Sequence, residues 1–313
     1  MIHINALLCP IDFSDFSRHA LTHAVQLARW FEASLTVLHV YPVPAAPPPV
    51  VFGGLPGPMP PGELFPAGSL SPERMHDQVL ARLSDFTSTA DFGGITLNLE
   101  ARSGPPARTI LDEADRLHSD LLVLGTHGHS GFERWILGSV TEKVLRKAVC
   151  PVLTVPPPVG DAPRDPRQIF GAILCAIDFS DTSLKGLEYA LALAEEADAK
   201  LLLMHVIEGL PDPPDWQQPP GPAVVEYLRL SEESALGRLR EVLPHDARTW
   251  CQPEIVLTTG RPHHEILRIA RERDAHLIVL GVHGSRPIDT WFFGSTTNHV
   301  VRAAPCPVLT VRG

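Results

Sequence analysis

Two tandem α/β domains, each a doubly wound parallel sheet, are what this sequence predicts, and three observations carry that reading. The chain repeats itself, short apolar runs alternate with helical patterns inside each copy, and its 313 residues make about twice an ordinary domain.

The repeat is the strongest of the three. Residues 8–17 read LCPIDFSDFS and residues 174–183 read LCAIDFSDTS, agreeing at eight of ten positions and differing at Pro10/Ala176 and Phe16/Thr182. CPVLTV occurs at 150–155 and again at 306–311, VLHV at 37–40 faces LMHV at 203–206, and LLVLGTHG at 121–128 faces LIVLGVHG at 277–284. The offset is 166 at Asp12/Asp178 but 156 at Gly125/Gly281, so the first copy carries about ten extra residues between those points. The Pro/Gly-rich stretch 42–66, which has no apolar periodicity, is expected to hold them as an extended loop. Residues 157–168 have the composition of a linker, which sets the expected domains at 1–156 and 169–313.

The elements follow in order. Residues 4–11 form a near-continuous apolar run, as in a strand buried on both faces. Ser14 opens a helix with apolar Ala20, Ala24, Leu27 and Ala28, and Ser14 or Asp15 is its expected cap. Residues 35–40 read as a strand, 72–90 as a helix, 95–101 as a strand, and 105–117 as a helix with proline near its first turn. A strand at 121–125, a helix at 139–147 and a strand at 149–155 complete the copy. Ser180, Leu201 to Val206, Pro262, Leu277 and Ser295 mark the same succession in the second copy. Strands alternating with helices imply a parallel sheet covered on both faces.

Composition narrows the function. The formal net charge is −10 with no basic run, which argues against a nucleic-acid surface but not against one bound nucleotide held by backbone N–H groups. No apolar stretch approaches the ~18 residues of a membrane span, and the first residues lack a signal-peptide pattern, so a cytoplasmic protein without membrane contact is expected. The five cysteines are odd in number and form no CxxC pair. Cys9, Cys150, Cys175 and Cys306 are expected as small buried hydrophobes. His39 and His205 occupy matching strand positions and read as core or crevice-lining residues, since no histidine spacing gives a converging metal-ligand set.

The chemistry centres on a glycine loop. After the fourth strand the first copy reads Gly125-Thr126-His127-Gly128, nine residues, then Gly138-Ser139-Val140-Thr141. The second reads Gly281-Val282-His283-Gly284, nine residues, then Gly294-Ser295-Thr296-Thr297. Glycines allow backbone to approach a ligand, and the closing Gly-Ser places N–H donors and a hydroxyl at a helix N-terminus, where an anion is favoured. Asp12 and Asp178 sit at the carboxyl end of the first strand of each copy, suited to ribose hydroxyls or to a metal on phosphates. Spacing alone leaves two other readings open, a ligand-free tight turn and a helix cap.

The IDFS opening, the G-x2-G-x9-G-[ST] loop and the runs LGSVTEKVLRKAVCPVLTV and APCPVLTV together resemble the universal stress protein family, over almost the whole of both halves. The resemblance implies two five-stranded domains of the adenine nucleotide alpha hydrolase-like, Rossmann-like class. It also implies one adenine nucleotide per domain, ATP or else ADP or AMP, with Mg carried on the phosphates. Under it Asp12 holds the ribose, Pro10 borders the base, Val40 lies by the adenine, and Gly125, Thr126, Gly128, Gly138, Ser139, Val140 and Thr141 wrap the phosphates. The matching set is Ala176, Asp178, Val206, Gly281, Val282, Gly284, Gly294, Ser295, Thr296 and Thr297. Gly131 and Arg134 become Pro287 and Thr290 in the second loop, with Arg286 nearby, so the first site is expected to hold phosphate better. No G-x4-G-K-[ST] occurs and neither loop contains lysine, which argues against a P-loop ATPase, and the resemblance then implies a stress-response binding module with an unidentified protein partner. A slow ATPase, self-phosphorylation on Ser139 or Ser295, and a nucleotide-free scaffold are the alternatives. The CPVLTV strands are the candidates for pairing the copies edge to edge as an internal pseudo-dimer, with a homodimer of whole chains as a further possibility.

Overall fold

The computed structural model describes residues 2–42, 51–52, 55–56, 72–88, 90–126, 137–157, 169–208, 221–282 and 294–312. The first half runs β1 (Ala6–Ile11), α1 (Asp15–Trp30), β2 (Ser34–Tyr41), β3 (Val51–Phe52), β4 (Leu55–Pro56), α2 (Pro72–Thr87), β5 (Leu97–Ser103), α3 (Pro106–Arg116), β6 (Leu121–Gly125), α4 (Ser139–Lys147) and β7 (Val152–Val155). The second runs β8 (Ala172–Ala176), α5 (Asp181–Ala197), β9 (Lys200–Ile207), α6 (Pro222–Val242), α7 (Ala247–Trp250), β10 (Gln252–Thr259), α8 (Pro262–Glu272), β11 (Leu277–Gly281), α9 (Ser295–Ala303) and β12 (Val308–Val311).

All but β3 and β4 lie in one ten-stranded sheet, ordered β10-β9-β8-β11-β12-β7-β6-β1-β2-β5. Within each half the five strands are parallel, and the order reverses direction between the first strand and the fourth, at β1/β6 and at β8/β11. The halves meet at β7 and β12, the CPVLTV strands, which pair antiparallel with Leu153 opposite Leu309. Two apolar cores flank the sheet and each runs through both halves. One packs α1, α2, α5 and α6 on one face, with Leu21, Leu83, Leu193 and Leu239 among its residues. The other packs α3, α4, α8 and α9 on the opposite face, with Ile110, Leu145, Ile266 and Val301. This is the three-layer arrangement that strands alternating with helices require.

Local chemistry sets the element ends. Ser14 caps α1, accepting from the Ser17 N–H at 3.1 Å, and Ser180 caps α5 from the Ser183 N–H at 3.3 Å. The Asp120 carboxylate accepts from the Asn5 and Ala6 N–H groups at 2.7 and 3.0 Å, so the ladder of β1 begins two residues later than the apolar run. Strand β5 is shifted by two residues from its expected 95–101, because Gly94 in a left-handed turn (φ 87°) lets the Ile95 N–H fold back on the Phe92 carbonyl. Strand β7 starts at Val152 rather than at 149, where Val149 is 76% exposed and Pro151 has no N–H to donate. Cys150 is accordingly half-buried in a turn, whereas Cys9, Cys175 and Cys306 are buried. Burial pushes those three thiols up to about 12 and makes them poor nucleophiles.

The β2/β5 ladder sets Leu35 against Leu97, and its counterpart sets Leu201 against Pro253, so the offset between copies changes after the second strand. Most of the stretch 42–66 lies outside the described residues, and of the rest Val51–Phe52 pairs antiparallel with Leu55–Pro56.

Candidate functional site

The carboxyl ends of β1 and β6, and of β8 and β11, sit side by side where the strand order reverses. In α/β sheets that is where a crevice opens. Asp12 stands just past β1. Its Oδ1 accepts from the Ser14 N–H at 3.0 Å, the Ser14 hydroxyl at 2.5 Å and the Ser17 hydroxyl at 2.6 Å, and Ser17 Oγ in turn accepts from the Asp12 N–H at 3.0 Å. Asp178 keeps both serine bonds, from the Ser180 N–H and hydroxyl at 3.0 and 2.5 Å, while the Ser183 hydroxyl turns to the Ser180 carbonyl at 2.9 Å. Each carboxylate is thus fixed in orientation by the first turn of the following helix.

The residue after each aspartate is Phe13 or Phe179, with φ of 65° and 63°. A left-handed aromatic costs about 1–3 kcal/mol and persists where its surroundings over-determine it. Here Arg82 lies over the Phe13 ring at 4.1 Å and Arg238 over Phe179 at 3.8 Å, while His39 and His205 close the other contacts at 4.3 and 4.7 Å. His39 Nδ1 meets the Ile11 carbonyl at 2.8 Å and His205 Nδ1 meets the Ile177 carbonyl at 2.8 Å. A carbonyl can only accept, so in each ring Nδ1 carries the proton of this bond.

Pro10 and Ala176 distinguish the two crevices. Among the described residues the β1/β6 ladder consists of Leu7–Leu121 and Leu8–Leu122, whereas β8/β11 runs four pairs from Ile173–Leu277 to Ala176–Leu280. Pro10 has no N–H to offer at the matching position, so the β1/β6 ladder ends two residues sooner. Val40 and Tyr41 continue past the last β1 pair, Ile11–His39, and pair with Arg102 and Ser103 of β5. Val206 occupies the matching place in β9.

At the other side of the crevice the loop closes at its base. The Thr126 N–H donates to the Val155 carbonyl at 3.0 Å and the Gly138 N–H to the Thr126 carbonyl at 2.9 Å, and Val282 and Gly294 repeat these bonds at 2.9 and 3.3 Å. Thr141 and Thr297 are buried and donate to the Gly125 and Gly281 carbonyls at 2.9 and 3.1 Å, tying helix to strand end. Gly138 and Gly294 are the N-cap residues of α4 and α9, and no side chain caps either helix. Ser139 and Ser295 are exposed at the first turn, with Val140 and Thr296 half-buried beside them. Gly128 and Gly284, His127, His129 and His283, and the differing positions Gly131, Arg134, Arg286, Pro287 and Thr290 lie outside the described residues.

Gly281 has a packing reason of its own. A Cβ there would lie 2.7 Å from the Ser183 nitrogen and 2.8 Å from the Thr182 carbonyl carbon, so glycine admits the backbone of α5 to the end of β11. Beside β9 a cavity of about 450 Å³ opens, lined by Asp178, Phe179, Val206 and, from α6, Tyr227, Ser234 and Arg238.

The sequence profile described as the universal stress protein family matches residues 3–156 and 170–312. The chain belongs to this family. A universal stress protein of Methanocaldococcus jannaschii is 35% identical over 154 residues, 49% of this chain and 82% of that protein. One from Mycolicibacterium smegmatis is 26% identical over 308 residues, 98% of this chain and 96% of that protein, so the tandem arrangement is shared nearly end to end. The crystal structure of a universal stress protein from Archaeoglobus fulgidus matches with a TM-score of 0.62 and 22% identity, over 98% of this chain and 96% of that one, a likeness of fold.

Two features of this universal stress protein were not read from the sequence. One is the role of the Phe of each IDFS, which takes the strained conformation that lets aspartate reach serine. The other is the arginine of the second helix, Arg82 or Arg238. Aligning ARLSD with GRLRE, inside α2 and α6, brings those arginines to matching positions, and a repeat search extended into these helices finds them. Among the described residues no group of three His, Cys, Asp or Glu side chains converges on a metal position, and no helix is long and apolar enough to cross a membrane.

Proposed function

We propose that this chain is a nucleotide-binding regulatory module, with an adenine nucleotide, ATP foremost, in the strand-end crevice of each half. One observation carries the reading. In both halves an oriented carboxylate, Asp12 or Asp178, stands at the end of the first strand beside an uncapped helix N-terminus at the end of the fourth. A nucleotide needs an acceptor for ribose hydroxyls at one end and a cluster of N–H donors for phosphate at the other. Gly138 and Gly294 contribute no side chain to compete for those donors, and Ser139 and Ser295 add a hydroxyl to each. Mg would arrive with the phosphates. Binding then alters the loop between strand and helix, and with it the surface that a partner protein meets.

The test is to purify the full chain without added nucleotide, denature it, and quantify released nucleotide by chromatography, alongside melting with and without Mg-ATP. Bound adenine nucleotide, or a rise in melting temperature with Mg-ATP, is expected. Neither appearing would leave the ligand-free scaffold. Turnover of ATP at ordinary enzyme rates would replace the binding module with an enzyme.

A further inference from the structure

The turn that aims each strand-end carboxylate is built around a residue that does not favour it. Asp12 Oδ1 accepts from the N–H two residues on, at Ser14, and Asp178 Oδ1 does the same at Ser180, both at 3.0 Å. Phe13 and Phe179 are therefore the middle residues of these turns, and their φ of 65° and 63° lies in the left-handed region, where a bulky side chain is strained. Were either phenylalanine to relax to negative φ, the serine N–H would swing away from the carboxylate and its direction would be lost. The aim of the aspartate thus depends on what holds the phenylalanine ring.

The ring is held alike in both halves. From the second strand His39 and His205 meet it at 4.3 and 4.7 Å, each imidazole bonded at 2.8 Å to the carbonyl just before the aspartate. From the second helix Arg82 and Arg238 lay a guanidinium over it, 4.1 and 3.8 Å from the ring centroid. The attraction of a cation for an aromatic face at that distance is of the same order as the strain of the turn. Both arginines are exposed, so the apolar core does not require them. The residues around them change between the helices, with Ala81, Ser84 and Phe86 standing against Gly237, Arg240 and Val242.

We propose that Arg82 and Arg238 are positioning residues for ribose recognition. Each clamps the phenylalanine in its left-handed turn, and so keeps the Asp12 or Asp178 carboxylate aimed to accept from the ribose hydroxyls. The arginine acts through the aspartate and does not itself touch the nucleotide. This rests on the nucleotide reading above, with the aspartates as ribose acceptors.

The test is to titrate the full chain with ATP and with 2′,3′-dideoxy-ATP, which keeps base and phosphates but lacks both ribose hydroxyls. The unaltered chain should prefer ATP by about tenfold or more, the worth of a hydrogen bond to a charged group. Arg82→Met with Arg238→Met keeps side-chain length and helix propensity but removes the cation. In that chain the preference should disappear while affinity for the dideoxy nucleotide is unchanged. Lysine at both positions returns a cation to the ring and should restore part of the preference. Asp12→Ala with Asp178→Ala should abolish the preference by removing the acceptor, and adding the two methionines to that chain should change nothing further. A preference that survives the methionines would overturn the clamp and leave the nucleotide reading standing. So would an equal loss of affinity for both nucleotides, as from a damaged fold or a lost phosphate contact. Equal binding of the two nucleotides by the unaltered chain would overturn the ribose role of the aspartates, and the clamp with it. Binding of neither would overturn the nucleotide reading itself.

Discussion

Thr154 of β7 and Thr310 of β12 clasp the two halves by reciprocal bonds. The Thr154 hydroxyl donates to the Val308 carbonyl at 3.2 Å and the Thr310 hydroxyl to the Val152 carbonyl at 3.1 Å. Both side chains are fully buried, around the point where Leu153 faces Leu309. The pair gives the junction the local two-fold symmetry of a dimer interface, within one chain.

Thr154→Val and Thr310→Val each keep the shape and remove one donor, so each should cost about 1 kcal/mol. Urea unfolding of the two single variants and the double variant checks this. The clasp is energetically idle if either single variant is as stable as the parent.

Gly281→Ala should be costly although it adds one methyl group. The new Cβ would meet backbone atoms of Thr182 and Ser183 at under 3 Å, and backbone cannot swing aside as a side chain does. A loss of about 1–3 kcal/mol is expected. Gly237→Ala is the contrasting control, since its Cβ meets nothing within 4 Å inside α6, where Ala81 stands in the first half. Helix propensity predicts a gain of roughly 0.5–1 kcal/mol there. Equal effects at the two glycines would contradict the packing argument.

These two glycines also mark what the sequence could and could not disclose. Strands and helices were legible because burial on both faces leaves continuous apolar runs such as 121–125, and because Ser14 and Ser180 cap where capping chemistry dictates. Pairing of the CPVLTV strands was expected from the family resemblance, and Leu153 does lie opposite Leu309. Asp12 could be placed at a strand end, but not the serine pair that orients it. Those bonds depend on Phe13 adopting φ 65°, a conformation that no local propensity favours. Gly281 reads as loop glycine in the sequence, yet its constraint comes from Ser183, nearly a hundred residues away.

Pro10→Ala should lengthen a ladder without much change in stability. The second half, with Ala176, pairs β8 and β11 up to Ala176–Leu280. An alanine at position 10 regains the N–H, worth about 1 kcal/mol when bonded, and gives up a proline constraint worth about 0.4–1 kcal/mol. Hydrogen exchange should show the new amide protected to a similar degree as that of Ala176. Fast exchange at position 10 would mean that the shorter β1/β6 ladder has another cause than the missing N–H.

His23 makes the fold acid-sensitive well above the carboxylate range. The ring is buried on α1, its Nδ1 is 3.0 Å from the His19 carbonyl, and the His19 ring lies 4.6 Å away. Burial is the largest cause of its lowered pKa, pushed to about 4 from an ordinary 6.5, with the bond to the His19 carbonyl opposing and the His19 charge reinforcing it. Between those values the unfolded chain binds a proton that the folded chain refuses. Stability attributable to His23 is therefore full above about 6.5 and falls as pH drops toward about 4, with a slope near 1.4 kcal/mol per pH unit. His23→Leu removes this proton and should flatten the pH dependence of urea unfolding across that window by about one proton. Some of the slope should remain, because burial also lowers the pKa of His19. Parallel pH profiles for parent and variant would show that His23 is not the group the fold keeps neutral.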